Sequence, residues 1–233
     1  MSDQDAQKRA VGEAAAQLVE SGMTVGLGTG STAVWFVRAL AARRLDVVGV
    51  ATSEATAALA RSLNLRLAGL DEVEAIDLTV DGADEIGPRL SLIKGAGAAL
   101  LREKLVWTAS KRCVVIADVS KQVVRLGGVP LPIEVVEFGH LQTAGRLAEA
   151  LEGQGVAGKP RLRVKGLSLK GDLPVRTDSG NLIYDALCGA IGDPAALAAA
   201  LKAVTGVVDH GLFLGLAERA LIGTDGSVTT VWP

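Results

Sequence analysis

Short apolar runs alternate with stretches of helical periodicity along the first half of the chain, and few folds can accommodate that alternation. The runs within "MTVGLGTGST", "VVGVAT", "LRLAGL", "AIDLTVD" and "RCVVIAD" read as strands. Between them lie a helix from near Ser31, a helix in "SEATAALARSLN" with Ser53 as its cap, and a helix in "GAGAALLREKLVWTAS" entered through glycines. Ahead of them Val11, Ala14, Ala15, Leu18 and Val19 recur at helical spacing, with Ser2, Asp3 and Asp5 as candidate caps. Strands that are apolar throughout and separated by helices belong in a doubly wound, mostly parallel sheet covered on both faces. Ligands bind such sheets at the carboxyl ends of the strands. Gly28–Thr32, Thr52–Glu54, Asp81–Asp84 and Asp118–Lys121 should therefore share one edge.

The rhythm breaks at "LGGVPLPIEVVEF", where Pro130 and Pro132 punctuate the pattern. A helix from about Leu141 to Leu151, a Gly/Lys-rich connection, a strand in "NLIYDAL" and a helix in "PAALAAALKAV" follow. We expect a smaller α+β domain at 130–206 and a main domain made of 1–129 and 207–233, with "GVVDHGLFLG" and "RALIGTDGSVTTV" returning the chain to the main sheet. No internal repeat is visible. Aromatics make up only 3% of the 233 residues, so the core rests on Ala, Val, Leu and Ile. A net charge of −2 and the lack of any long basic tract give no reason to expect a nucleic-acid partner. No run approaches a membrane span, and the N-terminus lacks a signal-peptide pattern. Cys113 and Cys188 are far apart, and a reduced, cytoplasmic chain is the simplest reading. His140 and His210 are too few for a His-rich metal site.

Four stretches can carry chemistry. In "GLGTGST" a glycine turn follows a strand, and amides at the next helix N-terminus attract phosphate, with Ser31 and Thr32 adding hydroxyls. The alternative is a tight turn with Ser31 as N-cap. No acid closes the following strand and no Gly-Lys-Ser/Thr is present, so a small phosphate-bearing molecule fits better than NAD or ATP. In "VDGADEI", Asp81 and Asp84 either build an Asx-type turn with Gly82 or face the binding edge. There they can split their pKa values, grip sugar hydroxyls, or hold Mg²⁺ together with phosphate oxygens. In "LIKGAGAALLREKL", Lys94 is either a snorkelling surface cation or a stabiliser of a developing oxyanion. Glu103, taken to lie in the second turn of its helix, is either part of a solvated face or a general base. Lys121, after "VVIADVS", can neutralise a phosphate or decorate a loop.

Taken together, "VGLGTGSTA", "VDGADEI", "LIKGAGAALLREKL", "IADVSK", "LGGVPLPIEV", "TDSGNLIYD" and "GVVDHGLF" resemble the type A ribose-5-phosphate isomerases in order and approximate spacing, from about residue 8 onward. The resemblance implies a Rossmann-like main domain with a smaller α+β domain. It implies interconversion of ribose 5-phosphate and ribulose 5-phosphate in the non-oxidative pentose phosphate pathway, with no metal and no organic cofactor. On that footing Glu103 moves a proton between C1 and C2, and Lys94 stabilises the cis-enediolate. Asp81 helps to open the furanose ring and shuttles hydroxyl protons, while Asp84 orients the sugar. Thr29, Gly30, Ser31, Thr32, Gly82, Ala83, Gly95, Ala96, Gly97, Lys121 and Lys8 become substrate contacts, some of them on the phosphate. The family precedent is a homodimer, sometimes a tetramer. The chain departs from the family pattern at Ala96, where a third glycine is common, at Glu137, where proline is expected, and at Ser179, where Asn is common. The connection from Gly153 to Pro174 is longer than in compact members, as a lid, an interface arm or a surface excursion.

Two other classes compete. A sugar-phosphate sensor would share this kind of domain but attach it to a DNA-binding segment, for which the span before Thr24 offers no room. An amino-sugar-phosphate isomerase/deaminase or a CoA transferase is the other alternative. The amino-sugar enzyme should use a catalytic set that includes His, and this chain has only two.

Overall fold

Strands and helices alternate through the first half of the molecule as their hydrophobic periods require. The computed structural model describes residues 3–168 and 171–233. Helix α1 (Asp3–Ala16) is followed by β1 (Thr24–Leu27), α2 (Ala33–Ala42), β2 (Val48–Ala51), α3 (Glu54–Ser62), β3 (Arg66–Leu67) and β4 (Leu78–Asp81). Short strands β5 (Glu85–Ile86) and β6 (Leu92–Ile93) lead to α4 (Leu100–Thr108) and β7 (Cys113–Asp118). Then come β8 (Leu131–Val135), α5 (His140–Gly153), β9 (Arg161–Leu162), β10 (Val164–Ser168), β11 (Gly171–Pro174), β12 (Leu182–Ala186) and α6 (Pro194–Lys202). The chain ends with β13 (Val207–His210), β14 (Leu212–Phe213), β15 (Arg219–Thr224) and β16 (Ser227–Val231).

The main sheet has seven strands in the order β16-β15-β7-β4-β1-β2-β3, parallel except for the β16 edge. Its parallel strands follow the doubly wound order, which reverses direction between β1 and β4. That switch point opens a crevice beyond the carboxyl ends of these two strands. A second sheet, β13-β8-β12-β9, is antiparallel throughout. A three-stranded antiparallel sheet, β14-β6-β5, holds the segment that leads into Lys94.

Strand parity decides which side chains meet which layer. On β4, Leu78 and Val80 join the core that contains Val11, Ala15, Phe36, Val37 and Leu40 of α1 and α2. Thr79 and Asp81 must then face the opposite layer. Thr79 Oγ1 lies 2.6 Å from Ser110 Oγ just beyond the C-terminal end of α4, which leaves Asp81, two residues on, pointing along α4 toward its beginning. In the second sheet, Leu131, Ile133 and Val135 of β8 and Leu182, Tyr184 and Ala186 of β12 pack with Leu147, Leu151, Leu197 and Leu201 of α5 and α6. Glu134 and Asp185 therefore lie on the face turned to the main body.

Several expectations need correction. Val207–His210 does not return to the main sheet; β13 pairs with β8, and only β15 and β16 go back. The strand expected in "LRLAGL" is confined to Arg66–Leu67, because Leu70–Glu72 turns into a 3-10 helix. Helix α2 starts at Ala33, after a Thr32 cap position that makes no side-chain bond, so Ser31 is not its N-cap. Ser53 does cap α3, accepting from Thr56 N at 3.1 Å. Asp3 and Asp5 lie within the first turn of α1, and Ser2 lies outside the described residues. No described helix is long and apolar enough to cross a membrane.

Gly26 shows how tightly α4 sits on the sheet: a Cβ there would lie 1.8 Å from Thr79 Oγ1 and 2.9 Å from Val106 Cγ1 of α4. Gly26→Ala should destabilise the fold by about 1–3 kcal/mol through overpacking. A urea midpoint unchanged from wild type would contradict this packing.

Candidate active site

The crevice at the switch point holds a cavity of about 240 Å³. Lys8, Thr29, Gly30, Ser31, Thr32, Gly82, Ala83, Asp84, Lys94, Gly95, Ala96, Gly97, Glu103 and Lys121 line it. Residues chosen from six separate stretches of sequence are thus brought together by the fold. Asp81 is the exception: it is 0% exposed and lies behind Lys94 rather than in the cavity wall.

Lys94 is 2% exposed, which excludes a snorkelling surface cation. Strand β6 delivers it, and its amide donates to Gly211 O at 2.9 Å. Its ammonium donates to Gly82 O at 2.6 Å and lies 3.0 Å from Asp81 Oδ2 and 3.4 Å from Glu103 Oε1. The rings of Trp107 and Phe213, at 5.6 and 5.5 Å, also face the charge. Burial works against the ammonium, but the negative charges of Asp81 and Glu103 outweigh it and hold its pKa above the ordinary lysine value.

Asp81 accepts the amides of Thr29 and Gly82 on Oδ1, at 3.0 and 2.7 Å. Only glycine fits at position 28, because a Cβ there would come within 2.3 Å of that oxygen. The Asx-type turn and the site assignment of Asp81 are thus compatible: one oxygen shapes the loop, and the other holds Lys94.

Glu103 is 4% exposed and sits in the first turn of α4, not the second. The helix starts at Leu100 because Gly95–Ala99 forms a compact turn, with Ala98 at φ 58° and its amide on Gly95 O. One carboxylate oxygen of Glu103 faces Lys94; the other, Oε2, has no hydrogen-bond partner among the described residues. Burial pushes its pKa up to about 8, against the pull of Lys94 and with a further push from Asp81 and Asp84. Asp84 accepts Ala96 N on Oδ2 at 2.9 Å. Ala96 has no left-handed φ, so its methyl imposes no backbone strain in place of a glycine.

The phosphate-type features are separate from this charge cluster. The amides of Gly30, Ser31 and Thr32 have no protein acceptor among the described residues, and they precede α2. Lys8 of α1 and Lys121, after β7, add positive charge without an ion-pair partner among the described residues. Thr29 lines the cavity and also packs inward. Its hydroxyl turns into a cluster with Thr52, Ser53 and Thr56, at 2.7, 2.8 and 3.1 Å. This cluster was not anticipated beyond the Ser53 cap, although "TSEAT" falls at the predicted strand edge.

Two contacts from the second sheet were also missed. Arg163 reaches the Gly95–Ala96 turn, and buried Glu134 accepts Thr177 Oγ1 and Asn181 Nδ2, both at 2.9 Å. The only signal for either in the sequence is the parity of β8 and β12, which turns Glu134 and Asp185 toward the main body. Among the described residues no group of three or more His, Cys, Asp or Glu side chains is arranged to hold a metal ion.

Glu103 also shapes stability. Its folded pKa lies above its unfolded value of 4.5, so its favourable contribution is complete below pH 4.5 and is lost as pH rises toward 8. Above about pH 6.5, beyond the range in which burial of His210 raises stability with pH, wild-type stability should fall toward pH 8 with a slope of up to about 1.4 kcal/mol per pH unit. Glu103→Gln should flatten the slope in urea titrations. An unchanged slope would remove Glu103 as its source.

The family model "Ribose 5-phosphate isomerase A (phosphoriboisomerase A)" matches residues 48–227, and a model of the DeoR C-terminal sensor domain matches residues 3–71. A ribose-5-phosphate isomerase A from Caulobacter sp. (strain K31) is 66% identical over 98% of this chain and 99% of its own length. Among solved structures, the ribose 5-phosphate isomerase from Plasmodium falciparum superposes with a TM-score of 0.90 at 36% identity, covering 98% of this chain and 99% of that one. Ribose 5 phosphate isomerase A from Neisseria gonorrhoeae gives 0.89 at 34%, covering 99% and 97%. With its sheet order, its crevice and these relatives in agreement along nearly its whole length, the chain belongs to the ribose 5-phosphate isomerase A family.

Proposed function

We propose that the chain interconverts D-ribose 5-phosphate and D-ribulose 5-phosphate through a cis-enediolate, with Glu103 as the group that moves the proton. One observation carries this reading: a buried carboxylate with an unpartnered oxygen lies in the cavity wall, 3.4 Å from a buried ammonium.

The open-chain aldose loses its C2 proton to the Glu103 carboxylate, and the electron pair moves through C1 onto O1. Lys94 compensates that charge in a water-poor setting, where a fixed ammonium acts most strongly. The O2 proton moves to O1, and Glu103 returns its proton to C1, leaving the ketose carbonyl at C2. One carboxyl serves as base and then acid, so neither an electron carrier nor a second base is needed. Before this, ring opening takes a proton from the anomeric hydroxyl and delivers one to the ring oxygen. Asp84 meets the sugar directly in this step, whereas Asp81 contributes through Lys94. Ser31, Thr32, Lys8 and Lys121, with the free amides before α2, hold the phosphate. Thr29 shapes the loop through its hydroxyl cluster. Gly82, Ala83, Gly95, Ala96 and Gly97 close the wall with backbone groups.

The reading extends to a cytoplasmic homodimer working in the non-oxidative pentose phosphate pathway. Exposed apolar residues support self-association: Phe138, just before α5, is 95% exposed, and Leu141, in its first turn, is 71% exposed. Phe138→Glu should shift purified protein to a monomer in sedimentation equilibrium. Unaltered mass would place the interface elsewhere.

Glu103→Gln should lower kcat with ribose 5-phosphate by about 10²–10⁴-fold, and it should stop solvent deuterium from appearing at C2 of recovered aldose. Because the base must be ionised, wild-type kcat/KM should rise tenfold per pH unit below about pH 8. A folded Glu103→Gln protein with full activity would move the base elsewhere.

A further inference from the structure

The connection between α5 and β12 carries a side chain that reaches the active-site turn. The Arg163 guanidinium donates through Nη1 to Gly95 O and Ala96 O, both at 3.0 Å. Its other edge is fixed on Asp185 of β12, with Nε–Oδ2 at 2.7 Å and Nη2–Oδ1 at 2.5 Å. Its backbone is anchored as well: its amide donates to Ile183 O at 2.8 Å, and its carbonyl accepts Val175 N at 2.9 Å. Arg163 does not line the cavity; it grips the turn from behind.

Peptide geometry makes this grip consequential. A trans peptide sets C=O and the following N–H antiparallel. Holding the Gly95 carbonyl outward aims the Ala96 amide inward, where it meets Asp84 Oδ2 at 2.9 Å. Holding the Ala96 carbonyl outward aims the Gly97 amide inward. That amide has no protein acceptor among the described residues, and Gly97 lines the cavity. A permanent positive charge on both carbonyls also polarises both peptides, strengthening their N–H groups as donors.

We propose that Arg163 is a positioning residue that aims and polarises the Ala96 and Gly97 amides, one toward Asp84 and the other toward a substrate oxygen that gains charge during enolisation. The proposal rests on the reading of the cavity as the isomerase site. It gives the long connection a task in catalysis, beyond that of a lid or surface excursion.

Wild type, Arg163→Ala and Arg163→Lys should be compared in steady-state kinetics with ribose 5-phosphate and in amide hydrogen exchange over residues 95–99. We expect Arg163→Ala to lose about 10- to 100-fold in kcat with a smaller change in KM, because one aimed amide is worth up to about 10²–10³ in rate. Millimolar guanidinium should restore part of that loss, and exchange over the turn should quicken. Arg163→Lys, which keeps the charge without the fork, should fall between the two. Exchange over 95–99 unchanged in both variants would overturn the clamp, whatever the reaction proves to be. Quickened exchange with kcat within twofold of wild type would overturn its role in catalysis. A loss confined to KM, or one that guanidinium does not relieve, would also overturn it. Failure of wild type to isomerise ribose 5-phosphate would instead overturn the reading of the cavity, and with it the catalytic part of this proposal. If Arg163→Ala does not fold, the same readouts on Arg163→Lys decide.

Discussion

The Lys94 ammonium, buried between Asp81 and Glu103, is the interaction around which the site is built. An isolated buried charge is costly, and breaking a buried pair by removing one partner typically costs about 3–5 kcal/mol. These groups therefore hold one another in place. Asp81 keeps Lys94 charged, and Lys94 permits carboxylates in an interior that would otherwise reject them. Glu103 is the least satisfied of the three: one oxygen is unpartnered and its pKa is high. That combination is what supports the proton-transfer role proposed for it.

The geometry follows from ordinary rules of secondary structure. Alternation along β4 sends Leu78 and Val80 into one core layer and Asp81 into the other. Helix α4 lies on that second face, close enough to exclude any side chain at position 26. Its first turn then brings Glu103 to the Lys94 ammonium that Asp81 also meets. Lys94 enters from the small β14-β6-β5 sheet, backed by Trp107 and Phe213, which are themselves in edge-to-face contact at 5.6 Å. No loop has to find the charge cluster unaided. The free amides before α2 belong to the same switch-point crevice, so these backbone donors and the charge cluster lie at neighbouring strand ends.

Much of this was legible in the sequence because it depends on short-range patterns. Apolar runs between helical segments gave the parallel sheet, and its carboxyl edge gave the places to search. Glycine next to Asp81 and before α2 marked tight backbone there. What was not legible depends on pairing over long separations. Val207–His210 reads like any other strand, and only its pairing with the edge of β8 opposite β12 decides which sheet it joins. The start of α4 was misplaced because Ala98 adopts a left-handed conformation that alanine does not advertise. The Thr29 hydroxyl cluster draws on residues more than twenty positions away, brought close by the β1–β2 pairing.

Arg163 shows the same limit from the other direction. Nothing near it in the sequence marks it out from Arg161 or Lys165. Its partners are Asp185, on the body-facing side of β12, and two carbonyls in a turn that sequence reasoning treats only as glycine-rich. Carbonyl oxygens carry no side-chain signature, so a cation that reads them is invisible until the fold is known. Yet carbonyls are the natural handle for controlling amides, since the rigid peptide plane passes orientation from one to the other. A site that relies on backbone donors needs some group behind the turn to hold their direction. In this molecule a charged fork anchored on a strand reaches the carbonyls of that turn, and an alanine at 96 is tolerated because no left-handed conformation is required of that residue.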